Sequence, residues 1–548
     1  MTSEVDLSTQ ARTERAGPRV PLARERAGAL PQRPAATRRD GRGGPWWPDA
    51  LVGAVSALVA LAVFSWRVGV PSPWRDEAVT VAVARRSAEE IWRLVQHVDL
   101  VHAPFYFLVH SLFGPSTTVV QARWPSVLAA AATAPLLHGL ARRLALPAVG
   151  PRTARLAGVT AAALWVATPL VSRYAQEARP YALATLVATA SAYLLVRGSG
   201  SARWGWWAGY AVSLPLLAAL NTLALMVLPA HAGWLLLRGA GARRRGALAG
   251  GAGVLLALPL LVAQSTQQGQ VAFLRPPPLR QLGEHVVFAL GSPVTVALAA
   301  VAVVLAVRWA RARALLEVGL LWGAVPVPAL WLLSQAHPLW TTRYLVVVTP
   351  GTCLLLAAAV TVAAPRRWRA RSRVLPAVLP AVVALVLVAV TAVAGLRMQL
   401  VFRDAELGHA EDLRGTAEHI AEHARPGDGL LFVPDGEYRY RVLTQLYPDA
   451  FEGLRDLALA EPAAESATLV GTVVPTGELA GALEGTRRIW VVGGAGPLVT
   501  AGEQDRETVR LLQEDYRLAH ERHLRAFGVR LYVAQDGPGA VLEAAPGT

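Results

Sequence analysis

The chain has 548 residues, of which 53% are hydrophobic and 17% charged, and its mean hydropathy is +0.37. A soluble protein of this length would carry more charge and divide into several domains, so this composition excludes an ordinary soluble protein. The formal net charge is +15, yet the arginines cluster at the ends of apolar segments. That placement favours topology signals facing anionic lipid over a nucleic-acid partner.

Residues 1–47 show no apolar periodicity. Residues 1–45 contain nine arginines and five acidic residues, together with several prolines and glycines. Such a composition buries too little apolar surface to fold, so we predict a disordered cytoplasmic tail. The first apolar run begins too late for a signal peptide, and no small-residue cleavage site follows it.

Eleven apolar segments follow, each bounded by short polar or arginine-rich pieces. Their lengths predict membrane-spanning helices, and hence a polytopic α-helical membrane domain over residues 48–396. The predicted spans are residues 50–66, 119–141, 156–172, 181–196, 206–221, 223–238, 247–263, 294–310, 315–334, 344–364 and 374–396. A further apolar stretch, residues 103–113, would make a helix of only about 16 Å, so we predict a re-entrant or interfacial helix there.

Arginine counts orient these helices across the membrane. With eleven spans and the N-terminus cytoplasmic, the predicted inner loops carry eighteen arginines, and the outer loops and span edges carry eleven. Counting residues 103–113 as a span would reverse that balance, against the positive-inside rule. The outer loop, residues 67–118, and everything after residue 397 are therefore predicted to be extracytoplasmic.

The outer loop begins with a charged cluster, "WRDEAVT", in which Arg75, Asp76 and Glu77 stand side by side. One interpretation is that the two carboxylates begin a juxtamembrane helix, where anions favour the positive end of the helix dipole. Downstream, "SAEEIWRLVQHV" has an N-cap candidate in Ser87, Glu90 three residues later, and apolar residues at helical spacing. We predict an amphipathic helix lying on the membrane surface.

Two further predicted outer segments carry arginines. "SRYAQEARPYAL" is a short turn holding Arg173, Glu177 and Arg179, and "HPLWTTRYLVVVTPG" places Arg343 at the start of a span. A single arginine at a membrane edge is usually an anchor that snorkels to the interface. Three arginines on the same predicted side as a carboxylate pair indicate instead a site for an anionic lipid head group.

Residues 397–548 change from apolar spans to a soluble pattern. An amphipathic helix, a Pro-Gly-Asp turn and a buried strand are predicted within "AEDLRGTAEHIAEHARPGDGLLFV". Two more strands, "RRIWVVGG" and "VRLYVAQ", flank a helix at "QDRETVRLLQEDY", and this alternation predicts a small C-terminal α/β domain. The "VVGGAG" stretch lacks the full dinucleotide-binding pattern, so we interpret it as a turn.

Three of these motifs resemble one known family. "WRDEAVT" after the first span, "SRYAQEARPYAL" after the third and "TTRYLVVVTPG" before a late span are similar to the GT-C fold glycosyltransferases that use polyprenyl-phosphate sugars. The resemblance is to the bacterial glycosyltransferase family 39, relatives of the protein O-mannosyltransferases, and it covers residues 50–400. In "DLVHAPFYF" this chain has Ala103 where the family usually has proline.

The resemblance implies a role for the first motif. Asp76 corresponds to the catalytic carboxylate, which takes the proton of the acceptor hydroxyl as that hydroxyl attacks the anomeric carbon. Because phosphate leaves as a stable anion, one carboxylate suffices, unlike the two of glycoside hydrolases. Glu77 is the second candidate catalytic residue, and it would cap the helix or hold Arg75. The two carboxylates would point about 100° apart on a helix, which argues against a required divalent cation, although related oligosaccharide-transferring enzymes bind one.

The substrate-binding residues follow from the same resemblance. Arginines stabilise the charge that develops on the leaving phosphate, with Arg179 and Arg343 as the first candidates and Arg173 as the third. Glu177 would contact the sugar, orient an arginine or help hold a metal. The other predicted substrate-binding residues are Tyr181, His102 and Tyr344.

The implied function is inverting hexosyl transfer in the bacterial plasma membrane, with mannose as the sugar and a polyprenyl-phosphate lipid as its carrier. The acceptor would be an extracytoplasmic protein, glycan or lipid. One alternative is a transporter or flippase of lipid-linked sugars, which would show charges near the bilayer midplane and an internal repeat. Another is a non-catalytic membrane module, which leaves the outer carboxylates and arginines without a role.

Overall fold

The computed structural model describes residues 47–267, 269, 273–363, 375–435 and 438–535. The predicted tail lies outside the described residues except for Trp47, and so do the arginines of residues 366–373 that were counted on the predicted inner side. From Trp47 onwards the described chain forms one unit, so its membrane part and its C-terminal part are described together.

Sixteen helices account for most of the described chain up to residue 401. In chain order they are α1 (Trp47–Ser65), α2 (Arg75–Ala84), α3 (Ala88–His97), α4 (Ala103–Phe113), α5 (Val119–Ala167), α6 (Pro169–Ala175), α7 (Tyr181–Ser199), α8 (Trp204–Leu220), α9 (Leu228–Leu236), α10 (Ala240–Ser265), α11 (Arg280–Leu290), α12 (Pro293–Trp309), α13 (Arg313–Gly323), α14 (Pro326–Ala336), α15 (Thr349–Ala357) and α16 (Leu375–Val401). Short 3₁₀ turns extend several of them, including Thr342–Val348 before α15.

Each of the eleven predicted spans coincides with helical structure, but not all are separate, uninterrupted helices. Among the described residues, six helical segments are long and apolar enough to cross a membrane, or eight if each of two bent pairs is one span. Two predicted spans lie within α5, which leaves helical geometry at Gly150. The membrane-helical fold is confirmed, and helix breaks explain why the length criterion supports fewer spans than eleven.

The outer loop folds into α2, α3 and α4. The predicted capping box is present, since the Ser87 side chain accepts from the Glu90 N–H and the Glu90 carboxylate accepts from the Ser87 N–H. The apolar face of α3 is fully buried in a cluster shared with α2, α4 and C-terminal residues. The prediction that this face lies on the membrane surface is therefore corrected: it packs against protein, with α4 as its neighbouring helix.

The C-terminal part is the predicted α/β domain, with four helices and seven strands among its described residues. They are α17 (Leu413–His423), β1 (Gly429–Val433), α18 (Tyr438–Leu446), β2 (Arg455–Asp456), β3 (Leu459–Glu461), β4 (Thr472–Val473), α19 (Leu479–Leu483), β5 (Arg488–Gly493), α20 (Glu503–Asp515), β6 (Tyr516–Leu524) and β7 (Phe527–Ala534). The main sheet has the order β2-β1-β5-β7-β6, parallel between β2, β1 and β5 and antiparallel around β7.

The predicted strands correspond to β1, β5 and β7, and the predicted helices to α17 and α20. Strand β6 was missed, because "YRLAHERHL" is mostly polar and does not alternate apolar with polar residues. It is an edge strand with most of its residues at least partly exposed. Pairing with β7, rather than apolar patterning, accounts for its extended form.

The outer loop and the α/β domain share one hydrophobic cluster. It joins Phe105 and Tyr106 of α4 to Phe432 of β1, Trp490 of β5 and Phe527 of β7, all almost fully buried. Burying aromatic side chains of this size removes on the order of 150–250 Å² each from water, so the cluster is a major contribution to holding the two parts together. The α/β domain therefore lies directly over α2, where the catalytic motif was predicted.

Candidate active site

Asp76 lies in the first turn of α2, and its carboxylate meets side chains from three distant segments. Arg343 Nη1 donates to Oδ2 at 2.7 Å, and Arg179 Nη2 lies 3.5 Å from the same oxygen. The Tyr438 hydroxyl, from α18, donates to Oδ1 at 3.0 Å. Asp76 is only 6% exposed. The structure thus brings the predicted carboxylate together with two of the three predicted arginines.

The two arginines differ in how they are held. Arg179 is almost fully buried, and its Nη1 donates to Thr80 Oγ1 at 3.4 Å. Burial alone would lower the Arg179 pKa, but Asp76 and nearby tyrosines outweigh burial and raise it, so the guanidinium stays charged. Arg343 is more open, with 23% of its side chain exposed, and it lies 5.5 Å from the ring centroid of Trp74. Arg343 is therefore the more accessible cation for an incoming anion.

Glu77 points away from Asp76 into a fully buried pair with Arg123 of α5. Arg123 donates through Nε and Nη2 to the two carboxylate oxygens at 2.8 and 2.7 Å, and the Ala178 N–H donates to Oε1 at 2.9 Å. Burial would raise the Glu77 pKa, but Arg123, His409 and these hydrogen bonds outweigh it and lower the pKa to about 2. Glu77 thus joins α2, α5 and the turn before α7.

The idea that Glu77 holds Arg75 is corrected by the structure. Arg75 pairs instead with Glu411, whose oxygens lie 2.9 Å from the Arg75 backbone nitrogen and 3.0 Å from its guanidinium. Successive residues of a helix diverge by about 100°, so Arg75, Asp76 and Glu77 face three different sets of partners. Glu411 belongs to the segment between α16 and α17, which carried no sequence signal for the site.

His409 comes from the same segment and covers the buried side of the site. Its Nε2 lies 3.5 Å from Glu77 Oε2, and its ring stacks on Trp74 with centroids 6.3 Å apart. Burial is the main reason that its pKa falls to about 3, which leaves the imidazole neutral at physiological pH. The segment after α16 therefore contributes directly to the surroundings of both carboxylates.

Arg173 lies in the last turn of α6 and Glu177 in the turn before α7, and neither is a hydrogen-bond or ion-pair partner of Asp76 among the described residues. Arg173 donates to the Gly408 carbonyl, and its guanidinium lies over the Phe402 ring. Glu177 is fully buried, and neither carboxylate oxygen has a hydrogen-bond partner among the described residues. Burial, together with the charges of Glu77 and Asp76, raises the Glu177 pKa to about 8 despite Arg173. Glu177 is therefore largely protonated at neutral pH.

The predicted aromatic and histidine residues divide between two clusters. Tyr181 packs edge-on against Tyr344, with ring centroids 6.5 Å apart, in a group of apolar residues beside Arg343. His102 belongs to another cluster, in which its Nδ1 lies 2.8 Å from Asp99 Oδ1 and Tyr106 donates to the other oxygen of Asp99. Tyr181 and Tyr344 thus line the arginine side of the site, whereas His102 is held by Asp99.

A cavity of about 390 Å³ opens next to Arg343, between α11 and the start of the turn before α15. Its walls include His285 and Trp340, whose rings meet edge to face with centroids 5.7 Å apart. Helix α11 is bent by 93° from α12, so it lies across the end of that span. The cavity offers aromatic and polar surface close to the exposed arginine, as a sugar or phosphate would require.

Sequence reasoning missed Arg123, His409, Glu411 and Tyr438. Arg123 was counted only as one of the outer arginines, and nothing in its neighbourhood distinguishes it from an anchor. The other three lie beyond the last span, where no motif indicates chemistry. A run of charged residues directly after α16, in residues 403–414, is a signal for His409 and Glu411.

The fold that carries this site is similar to that of a known membrane protein. No family model matches the chain, and no curated protein matches it. Among solved structures, ArnT from Cupriavidus metallidurans bound to undecaprenyl phosphate superposes with a TM-score of 0.55 at 16% identity, covering 88% of this chain and 99% of ArnT. The apo state of ArnT gives 0.54 and 17%, covering 88% and 98%. The molecule is a multi-pass membrane protein, and its fold is the GT-C fold.

Proposed function

We propose that the chain is a membrane glycosyltransferase that moves a hexose from a polyprenyl-phosphate carrier to a hydroxyl group on the extracytoplasmic side, with inversion. The observation that carries the proposal is the carboxylate of Asp76, which meets Arg343 and Arg179 on one oxygen. A base and two phosphate-binding cations within one buried site are what such a transfer needs. The bound lipid of the ArnT structure is consistent with a polyprenyl-phosphate donor.

The proposed reaction is a single displacement. The acceptor oxygen forms a bond to the anomeric carbon while its proton passes to Asp76, and the bond from that carbon to the phosphate oxygen breaks. The electron pair of the broken bond leaves with the phosphate, whose charge Arg343 and Arg179 stabilise. Attack from the side opposite the leaving group inverts the anomeric configuration.

The arginine pair also explains how the base becomes available. Both guanidinium groups face Asp76 Oδ2, so a donor phosphate would compete with this carboxylate for the two arginines. Arg343 is the less buried of the two arginines. When the donor phosphate binds Arg343 and draws that side chain away from Asp76, Oδ2 becomes accessible to the acceptor hydroxyl. Glu177, protonated at neutral pH, is suited to donate a hydrogen bond to a sugar hydroxyl.

The acceptor would approach between α2 and the α/β domain. Tyr438 of that domain donates to Asp76 Oδ1, so the base contacts both the membrane part and the C-terminal part. The family resemblance supports mannose as the sugar, and it leaves an extracytoplasmic protein, glycan or lipid as the acceptor. The orientation with a cytoplasmic N-terminus follows from the arginine balance.

Transfer by purified protein tests the proposal. Full-length protein in detergent is given radiolabelled polyprenyl-phosphate mannose and a panel of membrane acceptors, with Asp76→Asn compared to Glu89→Gln. Glu89 is an exposed acid of the same loop and serves as the matched control. We expect transfer to fall at least about 100-fold in Asp76→Asn, the low end of general-base contributions, and to persist in Glu89→Gln.

Equal transfer by Asp76→Asn and the parent protein would overturn the role of Asp76. The flippase alternative makes a different prediction, because it moves the lipid-linked sugar between leaflets without breaking the sugar–phosphate bond. Reconstituted vesicles in which labelled donor crosses the bilayer and no labelled product appears would favour that alternative over a transferase.

A further inference from the structure

Three histidines of the α/β domain lie against one another on its surface, away from Asp76. His419 and His423 are four residues apart on α17, and their rings are 4.3 Å apart at the centroids. His520, on strand β6, stacks on His419 with centroids 5.2 Å apart. Residues four apart share one face of a helix, so both helix histidines face the strand that carries the third.

The nitrogen atoms of these rings are placed as metal ligands are. The Nε2 atoms of His419 and His520 are 3.1 Å apart. Two nitrogens bound to one tetrahedral Zn²⁺ at 2.0–2.1 Å would be separated by about 3.3 Å, so a small shift would fit both to one ion. His423 directs Nδ1 to the His419 carbonyl at 2.9 Å, which leaves its Nε2 free. A backbone carbonyl on the other ring nitrogen is the usual way in which a metal-binding imidazole is oriented.

A carboxylate, Glu422, lies beside the two helix histidines. The ligand atoms of His419, Glu422 and His423 all lie within 4.8 Å of one another. Three imidazoles and one carboxylate match the ligand preferences of Zn²⁺ and of other divalent transition metals, and not those of Ca²⁺ or Mg²⁺. Arg522 is close enough to His419 and His520 to oppose added positive charge, and Glu422 supplies the compensating negative charge.

We infer that His419, His423 and His520, with Glu422, form a binding site for a divalent transition-metal ion on the α/β domain. The ion would join α17 to the edge strand β6. The other end of α17 is tied to the outer loop, since Arg414 donates to the Val70 and Gly69 carbonyls and its backbone N–H to Ser72 Oγ. Metal binding would therefore stabilise the domain that covers the site, without taking part in sugar transfer.

Zinc titration of the full-length protein tests the inference. Protein carrying no histidine tag is stripped with a chelator, dialysed and titrated with Zn²⁺ by isothermal calorimetry. We expect one Zn²⁺ per chain in the parent and in His523→Ala, and at least about tenfold weaker binding in His419→Ala and His520→Ala. His523 is the matched control, because it lies three residues beyond His520 on the same strand and pairs with Glu521 instead.

Two further measurements keep the result interpretable. His423→Ala changes an exposed side chain, so this variant should fold normally and still bind Zn²⁺ more weakly. The melting temperature of every variant in chelator shows whether it folds as the parent does. Zn²⁺ should raise the melting temperature of the parent and of His523→Ala only, and Co²⁺ should give them a tetrahedral ligand-field spectrum. Parent protein that binds Zn²⁺ no better than a triple variant of the three histidines would overturn the inference, whatever its transferase activity.

Discussion

Glu77→Gln is the substitution that most directly tests how the two neighbouring carboxylates divide their roles. The amide is nearly the same size as the carboxylate but carries no charge, so Arg123 would keep its buried positive charge without compensation. One amide NH₂ would also face a donor, because Arg123 and the Ala178 N–H both donate to Glu77. Removing one partner of a buried ion pair typically costs about 3–5 kcal/mol.

The Glu77 pKa gives a similar magnitude. The folded protein lowers it from an ordinary value of 4.5 to about 2, which corresponds to about 3 kcal/mol of stability at neutral pH. Because the folded-state pKa is lowered, this contribution is fully present above pH 4.5 and is lost as the pH falls towards 2. At pH 7 the variant should therefore lose all of it, a drop of roughly 3 °C in melting temperature for a unit of this size.

The assay is intrinsic fluorescence during heating of detergent-solubilised protein at pH 7, with Glu89→Gln as the exposed-acid control. The double variant Glu77→Gln/Arg123→Met removes both buried charges and should be more stable than the sum of the single changes predicts. Melting of Glu77→Gln within about 1 °C of the parent would refute a structural role. If the melting temperature were unchanged and sugar transfer were lost, Glu77 would instead be a catalytic residue.

Four further outcomes follow from the site. Arg343→Gln should reduce sugar transfer at least about tenfold, because Arg343 contacts Asp76. Arg173→Gln should reduce transfer less, because Arg173 donates to the Gly408 carbonyl and not to Asp76. Initial rates at several donor concentrations measure both effects. Tyr438→Phe should slow transfer at least about tenfold, the equivalent of one hydrogen bond to a charged group, without changing the melting temperature by more than about 2 °C. Burial raises the Glu177 pKa from 4.5 to about 8, so between these pH values the folded state holds a proton that the unfolded state releases, and the stability of the parent falls as the pH rises. Glu177→Gln lacks this titration, so its stability should increase relative to the parent by about 1 kcal/mol per pH unit between pH 5 and 8. A difference in melting temperature that stays constant over this pH range would contradict the prediction. His409 has the opposite sign: its pKa falls from 6.5 to about 3, so stability falls as the pH drops below 6.5, and His409→Asn should flatten the acid side of the melting profile.

Much of the fold could be predicted from the sequence, because membrane helices and strands are encoded locally. The eleven apolar segments coincide with helices since hydrocarbon thickness sets their length, and the Ser87 capping box depends on two residues three apart. Strands β1, β5 and β7 are rich in apolar and β-branched residues, with Arg530 as the one charge inside β7, and such runs are typical of strands. The apolar face of α3 was assigned to lipid wrongly, because periodicity shows which face is buried and not what buries it.

The sequence alone determined that this is a membrane protein with a charged cluster after its first span, and it predicted that Asp76 and several arginines lie on one side of the membrane. Only the tertiary structure decided which arginine meets which carboxylate. Asp76 takes Arg343, 267 positions away, and Glu77 takes Arg123, 46 positions away, although the two acids are adjacent. Helix geometry turns neighbouring side chains in different directions, and packing between distant elements supplies their partners. For the same reason the sequence did not predict the contact of Tyr438 with Asp76 or the cluster of three histidines, because these contacts join segments that are far apart in the chain.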